Sequence, residues 1–147
     1  MGAEAGLESA SPSPLARWPI MPLTLSITIV DEGELTLVVL GGELDLATMP
    51  SFRAEVMERC DPAAAQLVLD LSRVAVIDSP GLGALLRLAH RAQTTNRRVG
   101  LVTGGNERFL RLLRISHLEQ AFALGEDLEA VRSVLADLPA ETSPGQP

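Results

Sequence analysis

The chain has 147 residues, of which 46% are hydrophobic, so it is long enough to bury the core of one domain. Its formal net charge of −7 disfavours nucleic acids and anionic membranes as partners, and a basic protein partner fits better. The single cysteine, Cys60, excludes an internal disulfide, and no segment approaches the roughly 18 apolar residues that span a bilayer. We therefore expect a soluble, cytoplasmic protein.

The chain begins with a proline-containing segment that is followed by two strands. Residues 1–20 contain three prolines and show little periodicity, which is typical of a flexible extension. Apolar and polar residues alternate over residues 23–29, and this pattern predicts a strand with one buried face. A turn at residues 31–33 leads to a second predicted strand at residues 35–40.

A change of period after residue 45 predicts a helix. Apolar side chains recur there at helical spacing, at Met49, Phe52, Val56 and Cys60. Thr48 is the predicted N-cap, and Asp61 followed by proline ends the helix. Because Cys60 shares the apolar face, we interpret it as a core residue rather than a reactive thiol. The continuous apolar run at residues 67–69 then predicts a central strand.

A short apolar strand at residues 74–77 leads directly into a second helix. Ser79 is the predicted N-cap and Pro80 the first helical residue, and helical spacing continues to about Thr94. Free backbone N–H groups and the positive end of the helix would then lie beside the Ser79 hydroxyl. An added phosphate would be held there at low cost.

The remaining elements continue the alternation of strand and helix. Residues 99–102 form a predicted strand, residues 103–106 a loop, and residues 109–115 a short helix. A brief edge strand at residues 121–124 and a last helix at residues 128–138 follow. The order predicts an α/β fold in which about four helices pack on a mixed sheet of four or five strands.

Several kinds of catalytic site are disfavoured by the residues present. A serine nucleophile needs a base, and His90 would lie about 16 Å along the helix from Ser79. His117 follows a helix end, and the G-x-S-x-G pentapeptide is missing. The chain has no lysine for a phosphate-binding loop, and its two histidines and one cysteine do not cluster as zinc ligands. We expect no enzymatic activity, no cofactor and no metal.

Two groups of charged residues admit two interpretations each. Glu43 and Asp45 share one face at a strand end, where they form either a solvated turn or a partner-contact loop. Three arginines, at positions 108, 111 and 114, form either a basic stripe or the solvated face of an amphipathic helix. As loop carboxylates, Asp45 and Asp78 are expected to affect binding rather than folding.

Three segments together carry a resemblance to a known family. DSPGLGALL at residues 78–86, GGELD at residues 41–45 and TGGNERFLRLL at residues 103–113 are similar to the STAS domain of bacterial anti-sigma-factor antagonists. The resemblance covers about residues 21–138, with residues 139–147 as a flexible tail. It implies that an anti-sigma factor with serine kinase activity binds the unphosphorylated protein and phosphorylates Ser79, and that a separate serine phosphatase reverses the modification.

The predicted partner-binding residues lie in these same three segments. They are Glu43, Asp45, Asp78, Pro80, Gly81, Leu82, Gly104 and Asn106. Many family members have a small hydroxyl residue where this chain has Pro80, which preserves the helix start but stiffens the peptide that a kinase must bind. Two alternatives remain: a STAS scaffold or small-ligand sensor that works without phosphorylation, and a small serine hydrolase.

Overall fold

The computed structural model describes residues 24–137 as a five-stranded sheet with helices packed on it. The elements in chain order are β1 (Leu25–Asp31), β2 (Leu35–Leu44), α1 (Met49–Phe52), a π-helical turn (Arg53–Met57), β3 (Gln66–Ile77), α2 (Ser79–Gln93), β4 (Val99–Val102), α3 (Glu107–Ile115), a 3-10 turn (Glu119–Ala121), β5 (Phe122–Gly125) and α4 (Leu128–Ala136). The predicted extension at residues 1–20 and tail at residues 139–147 lie outside the described residues.

The strands are arranged in the sheet in the order β1-β2-β3-β4-β5. β1 pairs with β2 antiparallel, and every later pair is parallel. The hairpin turn is closed by the N–H of Gly33, which adopts a φ of +88° and donates to Asp31 Oδ1 at 3.0 Å. The parallel strands are joined through helices, as such crossovers require. The mixed α/β sheet predicted from the sequence is therefore confirmed.

The core lies mainly between the sheet and the helices α1 and α2. Leu85 and Leu88 on α2 are fully buried, as are Phe52 and Val56 on the segment that follows β2. A smaller cluster lies around Val131 of α4, with residues contributed by β2, β3 and β4. No helix within residues 24–137 is long and apolar enough to cross a membrane.

Two elements differ from the sequence-based prediction. β3 is one strand of 12 residues, whereas the sequence indicated two separate apolar runs. Polar residues interrupt the apolar pattern because β3 carries extra residues opposite β2, where the register shifts at two places. The helix predicted from Met49 to Cys60 is a four-residue α-helix that continues as a π-helical turn. Its buried residues still keep one face on the core.

We expect the core beneath α2 to dominate stability. Leu85→Ala should lower the free energy of unfolding by about 2–5 kcal/mol, because it leaves a cavity in a fully buried site. Leu46→Ala is the matched control, since that leucine is 68% exposed, and it should change stability by less than about 0.5 kcal/mol. Urea denaturation of both variants measures the difference. Equal effects would contradict the described packing.

Candidate functional site

Ser79 is exposed at the first residue of α2, directly after the end of β3. The N-cap of this helix is Asp78, whose Oδ1 accepts a hydrogen bond from the Gly81 N–H at 2.9 Å. The prediction that Ser79 is the N-cap and Pro80 the first helical residue is therefore wrong by one position. Both Asp and Ser are good caps, and the charged carboxylate makes the stronger hydrogen bond.

The second oxygen of Asp78 connects the helix to the loop formed by residues 45–48. Asp78 Oδ2 accepts from the Leu46 N–H at 3.0 Å, and the Asp78 N–H donates to the Leu44 carbonyl at 3.3 Å. The same side chain therefore caps α2 and holds the 45–48 loop against it. Asp78 therefore has a structural role, whereas the sequence analysis expected it to affect binding rather than folding.

The backbone donors at the start of α2 are largely occupied. Gly81 donates to the Asp78 side chain, and Leu82 donates to the Asp78 carbonyl at 2.9 Å. Pro80 has no N–H to offer. The expectation that free N–H groups would hold a phosphate on Ser79 is thus wrong for these three residues. A phosphate at this position would lie in solvent or would have to compete with the Asp78 carboxylate.

Gly81 marks a close approach between α2 and the end of β2. It is buried, and a Cβ at this position would meet the carbonyl oxygen of Leu44. Gly83, two residues along the same helix, would place a Cβ in open space. The two glycines look equivalent in the sequence, and only the packing distinguishes them. Leu82 lies between them, half-buried against the main core.

The 45–48 loop is held by hydrogen bonds of its own. The hydroxyl of Thr48, a residue only 6% exposed, donates to the Glu43 carbonyl at 2.8 Å and accepts from the Asp45 N–H at 3.1 Å. Asp45 Oδ1 in turn accepts from the Thr48 N–H at 3.1 Å. Asp45 is thus an internal acceptor that fixes the turn. Thr48 occupies the predicted N-cap position of α1, but its hydroxyl bonds to the loop.

The third predicted segment is attached to β3 through Asn106. Its amide nitrogen donates to the carbonyls of Leu71 and Val74, both at 2.9 Å, and its oxygen accepts from the Phe109 N–H at 3.2 Å. Asn106 therefore caps α3 and fixes it beside the end of β3. Gly104, exposed with a φ of +53°, would place a Cβ against Ser72.

The predicted site residues divide into exposed and supporting positions. Ser79, Pro80 and Gly104 are exposed, whereas Gly81 is buried and Asn106 is half-buried and fully engaged in hydrogen bonds. The segments at residues 43–48 and 78–82 are joined directly through Asp78. Sequence reasoning missed the exposed Leu46 beside this junction, and it assigned the buried Thr48 behind it only as a helix N-cap. An apolar residue within a polar turn was the available signal for Leu46.

The two histidines considered for catalysis lie near the C-terminal ends of helices. His90 is exposed near the end of α2, and His117, with a φ of +58°, follows α3. Within residues 24–137, no three or more His, Cys, Asp or Glu residues are placed to hold a metal ion. Cys60 is half-buried, and this burial raises the pKa of its thiol despite the nearby arginines 59 and 91. At neutral pH the thiol is therefore protonated.

We expect Asp78 to contribute to folding in two separable ways. Asp78→Ala removes both hydrogen bonds and should destabilise the protein by about 1–3 kcal/mol. Asp78→Ser retains a cap for the Gly81 N–H, but the serine side chain is too short to reach Leu46. Its loss of stability should therefore be about half that of Asp78→Ala. Glu58→Ala, which removes an exposed carboxylate, is the control. Urea denaturation measures the free energies of unfolding. Equal values for Asp78→Ala and Glu58→Ala would contradict this role.

Gly81 and Gly83 form a matched pair on one helix. Gly81→Ala should destabilise the protein by about 1–3 kcal/mol, because the new Cβ meets the Leu44 backbone. Gly83→Ala should stabilise it by roughly 0.5–1 kcal/mol, because alanine is the better helix former and the space is open. Thermal unfolding of both variants gives the comparison. The same direction of change in both would refute the close approach of α2 to β2.

Comparisons with known proteins agree with this arrangement. The family model described as "Mlab, STAS domain" matches residues 27–130. An anti-sigma factor antagonist from Mycobacterium paratuberculosis shares 23% identity with a TM-score of 0.69, over 79% of this chain and 97% of that chain. The phosphorylated form of the Bacillus cell fate determinant SpoIIAA shares 20% identity with a TM-score of 0.57, over 74% and 99%. Both likenesses show a common fold, and because the family model matches more than half of the residues, the chain belongs to the STAS domain family.

Proposed function

We propose that this protein is an anti-sigma-factor antagonist of the bacterial cytoplasm that works as a partner switch and not as an enzyme. Unphosphorylated, it binds an anti-sigma factor with serine kinase activity; phosphorylation of Ser79 releases that partner, and a serine phosphatase restores binding. The observation that carries the proposal is the exposed Ser79 at the start of α2, beside the 45–48 loop. The fold shared with two solved structures, one an anti-sigma factor antagonist and one a protein in a phosphorylated form, supports it.

The partner surface that we propose surrounds Ser79. Its outer part consists of exposed Pro80 and the exposed side chain of Leu46, whose N–H is bound by Asp78. An exposed leucine at a loop tip gives a partner apolar area to bury, worth roughly 25 cal/mol per Å². Among the predicted contact residues, Glu43 and Gly104 also reach the surface, whereas Asp45, Asp78, Gly81, Leu82 and Asn106 chiefly hold the surface in shape.

Charge is the proposed means of switching. A phosphate adds about −1.5 to −2 charge at pH 7. Because the neighbouring Gly81 and Leu82 N–H groups are already bound, local backbone donors would offset little of this charge. It would therefore remain at the surface, where repulsion of a partner can cost several kcal/mol. The fold need not change for the partner to be released.

Pro80 restricts how a kinase can reach Ser79. A proline at the second position of α2 is tolerated because an N–H there would have no partner within the helix. Its ring also fixes the backbone, so the kinase must recognise Ser79 in the folded domain. Because Pro80 stiffens the peptide that a kinase must bind, it favours a second candidate function, a STAS scaffold that binds its partner regardless of phosphorylation.

The switch is tested by two substitutions at Ser79. Ser79→Ala should bind the anti-sigma factor with near wild-type affinity, and Ser79→Asp should bind at least roughly tenfold more weakly because it adds a charge. Since Asp78 supplies the cap, neither variant should change stability by more than about 0.5 kcal/mol. Calorimetric titration gives the affinities, and melting curves serve as the folding control.

A separate kinase reaction maps the phosphorylation site. Incubation with the kinase and ATP should add one phosphate, located at Ser79 by mass spectrometry. A phosphate at Ser72, Thr94 or Ser116 would contradict the site. Equal affinities of Ser79→Ala and Ser79→Asp would instead favour the scaffold, which binds without regard to charge.

A further inference from the structure

β3 extends beyond the strand that pairs with it on one side. Its pairing with β4 ends where Asp70 lies opposite Val102, but β3 continues to Ile77. Over these last residues it pairs, within the described part of the chain, with β2 alone. An edge of this kind presents backbone N–H and C=O groups that can pair with another strand. The end of β3 therefore has one side open to a partner.

The side chain of Asn106 covers only the first part of this edge. Its amide nitrogen bonds to the carbonyls of Leu71 and Val74, which takes the place of the missing strand there. Val74 is the last residue of β3 to which the Asn106 side chain bonds. The hydrogen-bonding edge that is left for a partner is thus short, and it begins at Ala75.

A groove separates this edge from α3. Its volume is about 260 Å³, and it is lined by residues 74–77 of β3 together with Asn106, Arg108, Phe109 and Leu112. Val76, on the β3 wall, is 42% exposed although it is a branched apolar residue at the end of a central strand. Across from it, Leu112 of α3 is half-buried. The groove therefore offers apolar contacts next to an open strand edge.

The charge of the groove has one sign. Arg108 is the charged residue among those that line it, and no carboxylate takes part. This contrasts with the chain as a whole, whose net charge is −7. Three carboxylates lie next to lining residues: Glu43 is opposite Val76 in the sheet, Asp78 follows Ile77, and Glu107 precedes Arg108. An acidic side chain in direct contact with Arg108 still interacts most strongly with that arginine, because Coulomb energy falls with distance. The groove is thus suited to a segment with an acidic residue.

We propose that the edge of β3 at residues 75–77 binds an extended segment of a protein partner, which adds a strand to the sheet and lies in the groove beside α3. The segment carries an apolar residue for Val76 and Leu112 and an acidic residue for Arg108. In this mode of recognition, main-chain hydrogen bonds supply affinity and side-chain pockets supply specificity. The proposal rests on the proposed function only for the identity of the partner.

The groove lies close to the proposed switch residue. Ile77 forms its end and is two residues before Ser79, so Val76 and Ser79 are at most about 10 Å apart along the backbone. A phosphate on Ser79 would therefore act directly on an acidic segment bound at the edge of β3. Release of the partner would follow from repulsion between two anionic groups within one screening length.

A random dodecapeptide display library selected against the full chain tests the proposal. Enriched peptides should combine acidic and apolar residues, and the amide resonances that shift on binding of a synthetic copy should lie in residues 74–77 and 106–112. Val76→Lys and Arg108→Glu should each weaken binding roughly tenfold. Arg111→Glu makes the same charge change on the same helix outside the groove, and it should leave binding within about twofold.

Several results would overturn the proposal. These are a selection that yields no binding peptide, peptides without acidic residues, equal weakening by Arg108→Glu and Arg111→Glu, or resonance shifts elsewhere. Concentration-dependent dimerisation lost in Val76→Lys would assign the groove to a second copy of this chain instead. Peptide binding is measured on the unphosphorylated protein without a kinase, so a negative kinase assay at Ser79 would reject the switch and leave this result intact.

Discussion

The two oxygens of the Asp78 carboxylate accept hydrogen bonds from two different elements, the Gly81 N–H in α2 and the Leu46 N–H in the 45–48 loop. This single side chain sets where α2 begins and where the loop after β2 lies. Ser79 follows it directly and is held at the surface by both constraints. The backbone of α2 can approach β2 so closely only because residue 81 has no side chain. The position of Ser79 is therefore a property of the fold and not of a flexible loop.

Side chains hold the other loops of the site in the same way. Thr48 and Asp45 bond to each other's backbone within the 45–48 loop, and Asn106 bonds to two carbonyls of β3. Each of these polar groups is short, so its hydrogen bonds fix a local backbone conformation at little cost in side-chain entropy. A surface built on such loops is already ordered before it meets a partner. For the partner that we propose, binding to an ordered surface costs less free energy of ordering.

The sequence predicted the elements well and their ends less well. The hairpin of β1 and β2, the strand before α2 and the helix after Asn106 follow from periodicity, because apolar side chains recur on one face of each. In β1 this face is only partly covered, and Ile29 is 38% exposed. The N-cap of α2 was misplaced because Asp78 and Ser79 are both good caps, and only the contact with Leu46 decides between them. The full length of β3 was hidden because its bulges interrupt the apolar pattern, and a long-range pair such as Asn106 and Leu71 leaves no local signal.

The parallel pairing of β2, β3 and β4 also determines at which stage of folding the site around Ser79 forms. The hairpin of β1 and β2 is local and closes quickly, but each parallel pair must wait for a crossover segment between its strands. The Asp78 carboxylate accepts a hydrogen bond from the N–H of Leu46, 32 positions earlier in the chain. The Asn106 amide donates to the carbonyl of Leu71, 35 positions earlier. A nascent chain that has reached only the end of α2 lacks Asn106 and all of α3. The hydrogen bonds that hold this site are therefore complete only after β4 has joined the sheet and α3 has followed it.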